Sequence, residues 1–178
     1  MKDPTQSVQL LAPVTDEQWR HAETLITELH EWDVQMSRTL GFGRDEILTA
    51  FYPNTFTEVR RDSVPPQGAF LLAMSAGSPT GCGAFHRTTA EVCELYEVYV
   101  RPTHRGSGIG SMLLQQLMSE AAAAGYKTMR LETATFMQHA HRLYKACGFK
   151  VLAPYRSLAP KFEAVTIWME APLARPAH

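Results

Sequence analysis

The chain has 178 residues, enough for one α/β domain with a buried core. Lys plus Arg number 17 and Asp plus Glu 18, so the protein carries no bulk field for holding nucleic acid, and any phosphate recognition has to be local. Its three cysteines, Cys82, Cys93 and Cys147, are odd in number and form no C-x-x-C pair, which excludes a disulfide framework and a zinc site of that spacing.

The opening segment MKDPTQSVQLLAPV lacks the basic region, apolar run and cleavage site of a signal peptide. No stretch reaches the ~18 apolar residues of a membrane span. The cytoplasm is the expected location. Val8 to Val14 reads as a first strand. Thr15 is a candidate N-cap, followed by Asp16 and Glu17 in the first turn of a helix. Trp19, Ala22, Leu25, Ile26 and Leu29 recur at helical spacing and predict a helix to about His30. A second helix is expected around Trp32 to Leu40, ended by Gly41-Phe42-Gly43, and a short helical piece over Asp45 to Tyr52.

Val64-Pro65-Pro66-Gln67-Gly68 is a turn. Ala69 to Met74 and Gly81 to Arg87 then read as a hairpin whose loop is too long for a two-residue turn. Val92 to Val100, rich in β-branched and aromatic residues, is a strand that Pro102 ends. From Gly108 the period becomes helical, with Ile109, Met112, Leu113, Leu117 and Ala121 on one stripe and Gly125 as C-terminal stop. Thr128 to Thr133 is a strand. Ala140, Leu143, Tyr144 and Cys147 repeat at i, i+3, i+4 and i+7, with Gly148 as the stop. Phe149 to Leu152 and Ala164 to Met169 complete the strands, and APLARPAH reads as a frayed tail. Cys93 and Cys147 fall at positions where a small buried hydrophobe is expected. With no repeat and no linker, residues 1–178 are read as a single domain.

The segment Val98 to Gly110 is the most informative. A strand runs into a loop with glycines at 106, 108 and 110, and the loop opens a helix. Unpaired N–H groups of a helix's first turn, with the helix dipole, make an anion site suited to a pyrophosphate. Arg105 adds a full positive charge. The spacing G-x-G-x-G differs from the dinucleotide G-x-G-x-x-G, and no G-x-x-x-x-G-K-[ST] occurs.

Arg105-x-x-Gly108-x-Gly110 resembles the R/Q-x-x-G-x-G/A signature of the GNAT acetyltransferase superfamily, and Ala140-x-x-Leu143-Tyr144-x-x-x-Gly148-Phe149 resembles a second motif of that family. The close match covers roughly residues 92 to 152 and includes one departure: Met137 stands where many members have an Asn that contacts the cofactor. The resemblance implies an α/β fold with a mixed, mostly antiparallel sheet of six or seven strands. Helices would cover both faces, and the sheet would splay near Val100 and Thr133 to admit coenzyme A. It implies acetyl-CoA, or another acyl-CoA, as co-substrate, without a metal. The pantetheine arm would pair with Val98, Tyr99 and Val100. The pyrophosphate would lie on Arg105, Gly106, Ser107, Gly108, Ile109 and Gly110, with Ser111 adding a hydroxyl.

Tyr144 is the implied general acid, since a phenol of pKa about 10 is protonated at neutral pH. Glu94 and Glu97 are both implied as general base. Strand alternation sets them on opposite faces unless a bulge, a feature of the family in this strand, intervenes. The implied reaction is N-acetyl transfer to a primary amine of a small molecule or peptide in a ternary complex. A non-catalytic acyl-CoA sensor is the alternative. No nucleic-acid or membrane partner is expected, and similar proteins are often homodimers. His86 and Arg87 could line the acceptor cleft, as could aromatics among Trp32, Phe51, Tyr52, Phe56, Tyr155 and Trp168. Arg101 and His104 crowd the loop, and His139 and His141 read as surface residues.

Overall fold

Thr15 starts the first helix through a capping box: its hydroxyl accepts from the Gln18 N–H, and the Gln18 side-chain oxygen accepts from the Thr15 N–H. In the computed structural model, which describes residues 7–174, this helix, α1 (Asp16–Arg38), runs past the expected stop near His30. The separate helix expected over Trp32 to Leu40 is its continuation. No glycine or proline stands between Pro13 and Gly41, and Asp33, Val34 and Ser37 extend the buried stripe. Two shorter helices follow, α2 (Arg44–Phe51) and α3 (Phe56–Asp62). The second was not anticipated, although Thr55-x-x-Glu58 is a capping box that signals it.

The strands are β1 (Gln9–Leu11), β2 (Ala69–Ser75), β3 (Ser78–Arg87), β4 (Val92–Val100), β5 (Thr128–Ala134), β6 (Lys150–Leu152) and β7 (Thr166–Pro172). The remaining helices are α4 (Ile109–Ala123), α5 (Gln138–Ala146) and α6 (Pro160–Glu163). The β2–β3 link corrects the sequence reading. Ser75 pairs with Ser78, and Ala76 and Gly77 both have positive φ (48° and 76°), so the hairpin closes with a two-residue turn whose twist suits the strands. The expected tail also starts late, because β7 includes Ala171 and Pro172; residues 1–6 and 175–178 lie outside the described residues.

The seven strands form one sheet in the order β1-β2-β3-β4-β5-β7-β6, antiparallel except for β4 against β5. Helices cover both faces, as expected. On one face α1 buries Trp19, Leu25 and Leu29 against Phe70, Leu72 and Tyr99. On the other α4 buries Leu113 and Leu117 against Phe85, Leu95 and Met129, and Tyr144 of α5 joins the same core. Leu117 has no exposure. Leu117→Ala is expected to cost about 2–5 kcal/mol of stability, read as a lower denaturant midpoint.

The parallel pair is short. β4 and β5 register only through Val92↔Thr128, Cys93↔Met129 and Glu94↔Arg130. Beyond Glu94 the two strands part, which leaves the β5-facing backbone edge of β4 from Leu95 to Val100 without a strand partner. The second irregularity lies on the other edge of β4. Cys82 pairs with Tyr99 but Ala84 with Tyr96, so Gly83 faces both Glu97 and Val98. Glu97 absorbs this bulge with φ of 53°. Gly83 has to lack a side chain there, because a Cβ would stand 2.9 Å from Leu117 Cδ1. Among the described residues no helix is long and apolar enough to cross a membrane.

Candidate active site

The glycine loop divides into two kinds of requirement. Gly106 and Gly108 have φ of 77° and 86°, conformations L-residues avoid, and open space surrounds both. Gly110 is different: a Cβ there would meet Leu143 Cδ2 at 3.1 Å, so it keeps α4 close to α5. Gly108 caps α4, and helix geometry leaves the N–H groups of Ile109, Gly110 and Ser111 without intrahelical acceptors. The Arg105 guanidinium leans back across the rings of Trp32 (5.3 Å) and Tyr99 (5.9 Å), and its Nε donates to the Val100 carbonyl at 3.0 Å. Ser107 Oγ donates to the His104 carbonyl at 2.6 Å, inside the loop. The donor set and cradle therefore fit a pyrophosphate, and the free edge of β4 beside them offers backbone groups at Val98, Tyr99 and Val100.

Between the parted strands lies a cavity of about 370 Å³, lined by Glu94, Glu97 and Tyr144 together. The bulge accounts for the two glutamates sharing a face, which alternation alone would have kept apart. Their surroundings differ. Both carboxylate oxygens of the buried Glu97 meet His30 Nε2, at 3.1 and 2.9 Å. The His30 ring stacks on Tyr52 with centroids 3.9 Å apart. Tyr52 in turn donates to Asp33 Oδ2 at 2.6 Å, and Ser37 Oγ donates to Asp33 Oδ1 at 3.1 Å. Burial raises the Asp33 carboxyl, with Tyr52 and Ser37 opposing it.

Glu94 makes no hydrogen bond among the described residues. Burial, and next the negative charge of Glu132, push its carboxyl up to about 7; Arg156 and Arg130 pull the other way. A carboxyl so placed changes charge near neutrality, as a general base requires. Burial pushes the Tyr144 hydroxyl up to about 12, which keeps its proton available for donation. Burial likewise pushes the Cys93 thiol up to about 12 and leaves it poorly suited to nucleophilic attack.

Sequence reading missed Glu132, Arg156, His30 and Asp33. Arg156 donates from Nε and Nη2 to the two oxygens of Glu132 (2.5 and 2.6 Å) and from Nη2 to the Ala50 carbonyl at 3.2 Å. Trp168 Nε1 donates to Glu132 Oε1 at 3.1 Å. The only available signal was Glu132 following β-branched and apolar residues in a strand; its partners lie 24 and 36 residues away. Tyr155 places a buried hydroxyl, without a partner among the described residues, in the field of Glu94 and Glu132.

Weaker expectations divide. His86, Phe51 and Tyr52 line the cavity, whereas Arg87 Nε donates to Thr89 O. Trp32 meets Arg105 and Phe136, and Phe56 packs on Trp19 in the core. Arg101 turns to Glu28 of α1 (2.7 and 3.0 Å) and to the Pro79 carbonyl. His104 Nδ1 meets Thr103 Oγ1. His139 is exposed beside Arg142, but His141 Nε2 donates to the Ala134 carbonyl at 2.9 Å and ties α5 to β5. Met137, in the place of the family Asn, lines the cavity as an apolar group.

Comparison with known proteins bears on the family and the fold. The profile of the acetyltransferase (GNAT) family matches residues 23–149. An IAA acetyltransferase of Azospirillum brasilense is 35% identical over 109 residues, covering 61% of this chain and 70% of that protein. A thialysine N-epsilon-acetyltransferase of Bos taurus is 30% identical over 135 residues, covering 70% and 74%. An uncharacterised N-acetyltransferase of Schizosaccharomyces pombe is 38% identical over 93 residues, and there the match spans 51% of this chain and 57% of the yeast protein. The solved PaiA N-acetyltransferase of Thermoplasma acidophilum in complex with coenzyme A superposes with a TM-score of 0.69 at 19% identity, covering 93% of this chain and 99% of that one.

Proposed function

This chain belongs to the acetyltransferase (GNAT) family, and on that footing we propose that it transfers an acetyl group from acetyl-CoA to a primary amine, with Glu94 as general base and Tyr144 as general acid. The observation that carries this reading is one cavity, at the point where β4 and β5 part, lined by a carboxyl pushed up to about 7 and a phenol pushed up to about 12. Acetyl-CoA supplies an activated thioester. The chain's own residues hold it and move two protons. Glycines 106 and 108 and the first N–H groups of α4 receive the pyrophosphate, and the free edge of β4 pairs with the pantetheine arm.

The amine nitrogen bonds to the acyl carbon and the carbon–sulfur bond breaks. Glu94 takes the proton that nitrogen loses, and the Tyr144 hydroxyl gives one to the departing sulfur. The products are an amide and free coenzyme A thiol. Glu97 is assigned a positioning part: His30 occupies both its oxygens, and together they hold the bulge that turns β4 toward the cavity. That contrast favours Glu94 over Glu97 as the base.

The sign of the pH dependence follows. Glu94 accepts a proton only when ionised, so kcat/KM rises with pH and levels off above about 7. Glu94→Gln is expected to lower kcat by about 10²- to 10⁴-fold and to abolish that limb. Glu97→Gln, which still offers His30 an acceptor, keeps the limb. Release of free thiol from acetyl-CoA with a mixture of primary amines, followed against pH, tests this. A protein that binds acetyl-CoA and releases no thiol to any amine is a sensor, and the transferase reading then fails.

A further inference from the structure

Most charged side chains on the cavity wall are already hydrogen-bonded; Glu94 is not, and Asn54 and the His86 ring stand beside the apolar side chains. Asp33 accepts from Tyr52 and Ser37, and Glu97 from His30. Glu132 accepts from Arg156 and Trp168. Thr166 Oγ1 donates to the Phe162 carbonyl at 2.7 Å. Among the described residues on this wall, Glu94 is the only carboxyl without a hydrogen-bond partner. Arg156 is the only guanidinium or ammonium there, and Glu132 and the Ala50 carbonyl already hold it. The rest of the wall is largely apolar: Leu29 from α1, Ile47 and Phe51 from α2, Phe136 and Met137 from the β5–α5 link, and Val165 before β7.

This distribution selects among amines. An acceptor carrying a carboxylate or phosphate would find no free guanidinium or ammonium among the described residues of the wall, only the His86 ring, whose Nδ1 already meets the Arg87 carbonyl. One carrying a second ammonium would meet only carboxylates that already accept from Tyr52 and Ser37, from His30, or from Arg156 and Trp168, and would gain less than the first amino group gains at Glu94. Either shortfall is costly in a desolvated site. A single amino group, by contrast, meets Glu94, and an uncharged body meets hydrocarbon and aromatic rings. Resting on the transferase reading above, we propose that the acceptor is a hydrophobic primary monoamine, with its nitrogen at Glu94 and its alkyl or aryl body against Ile47, Phe51, Phe136 and Met137.

The test compares amines that differ in one group. n-Hexylamine and 1,5-diaminopentane have the same length and differ by a methyl against an ammonium. Thiol release from acetyl-CoA gives kcat/KM for each, and for phenethylamine, lysine and a short peptide with a free N-terminus. The expected result is a preference of at least about 100-fold for hexylamine or phenethylamine over the diamine, lysine and the peptide. Within the series propylamine to hexylamine, kcat/KM should rise about 3- to 4-fold per methylene. Equal or faster transfer to the diamine, lysine or the peptide overturns the proposal and leaves the transferase reading standing. Absence of transfer to every amine, with acetyl-CoA bound, overturns both.

A variant checks the wall itself. Phe136 lies in the link between β5 and α5, outside both elements, so Phe136→Asp leaves the regular structure in place. It adds a carboxylate to the cavity wall and should shift the preference toward 1,5-diaminopentane by about 10-fold or more. An unchanged preference in a variant of normal melting temperature would remove Phe136 from the acceptor wall and overturn the assignment of the body.

Discussion

Tyr144→Phe is expected to lower kcat by about 10²- to 10⁴-fold while acetyl-CoA binds with unchanged affinity. The substitution removes one oxygen from a ring that stays in the same core, against Phe149 at 5.8 Å between centroids. Packing is therefore preserved and the lost group is the proton donor. The proposed role also predicts which donors suffer most. A thioester whose departing thiol has a lower pKa needs less help, so an acyl donor built on an acidic thiol should lose less activity in the variant than acetyl-CoA does. Steady-state kinetics with both donors, with calorimetric titration of acetyl-CoA as control, reads this directly. Equal activity of Tyr144→Phe and the unaltered protein would leave Tyr144 a core residue and nothing more.

The second large effect is on the donor. Gly108→Trp is expected to weaken acetyl-CoA binding by more than about 100-fold. Two causes act together. Gly108 has φ of 86°, where any L-residue is strained by about 1–2 kcal/mol. No atom lies within 4 Å of the position a Cβ would take, so a side chain there starts into open space, the space the pyrophosphate is proposed to use. Gly110→Ala separates this effect from packing, since its Cβ would press on Leu143 and not on the ligand space. Calorimetry on both variants, with melting temperatures, distinguishes them: loss of binding in a folded Gly108→Trp supports the loop as the phosphate site. Retained binding moves the phosphate elsewhere.

Much of the fold is legible in local sequence. The β4 strand and the helices α4 and α5 emerge where they are read, because burial on one face imposes a period of 2 or 3.6 on the residues themselves; in the α4 stripe Met112 is exposed and Leu114 takes a buried place instead. The glycine loop is likewise legible, since positive φ at residues 106 and 108 strongly favours glycine. The failures have equally physical origins. The sequence divides α1 at His30 and opens a second helix at Trp32, yet nothing there breaks the backbone hydrogen bonding. The β2–β3 turn was read as long because Pro79 was counted as loop, whereas it pairs with Met74 within the strand.

The amino-acid sequence by itself determined the elements, the loop and the motif that announced the family, because each depends on residues within a turn or two of one another. Only the tertiary structure decided the chemistry of the cavity. Strand period set Glu94 and Glu97 on opposite faces; the Glu97 bulge, which arises from pairing with β3, brought them together. Their different states come from residues remote in the chain: His30, 67 positions from Glu97, satisfies one carboxylate, and Arg156 satisfies Glu132 while leaving Glu94 unpaired. Burial and the field of neighbouring charges set a carboxyl's proton affinity, and both are properties of the space around a side chain, which no local pattern of residues contains.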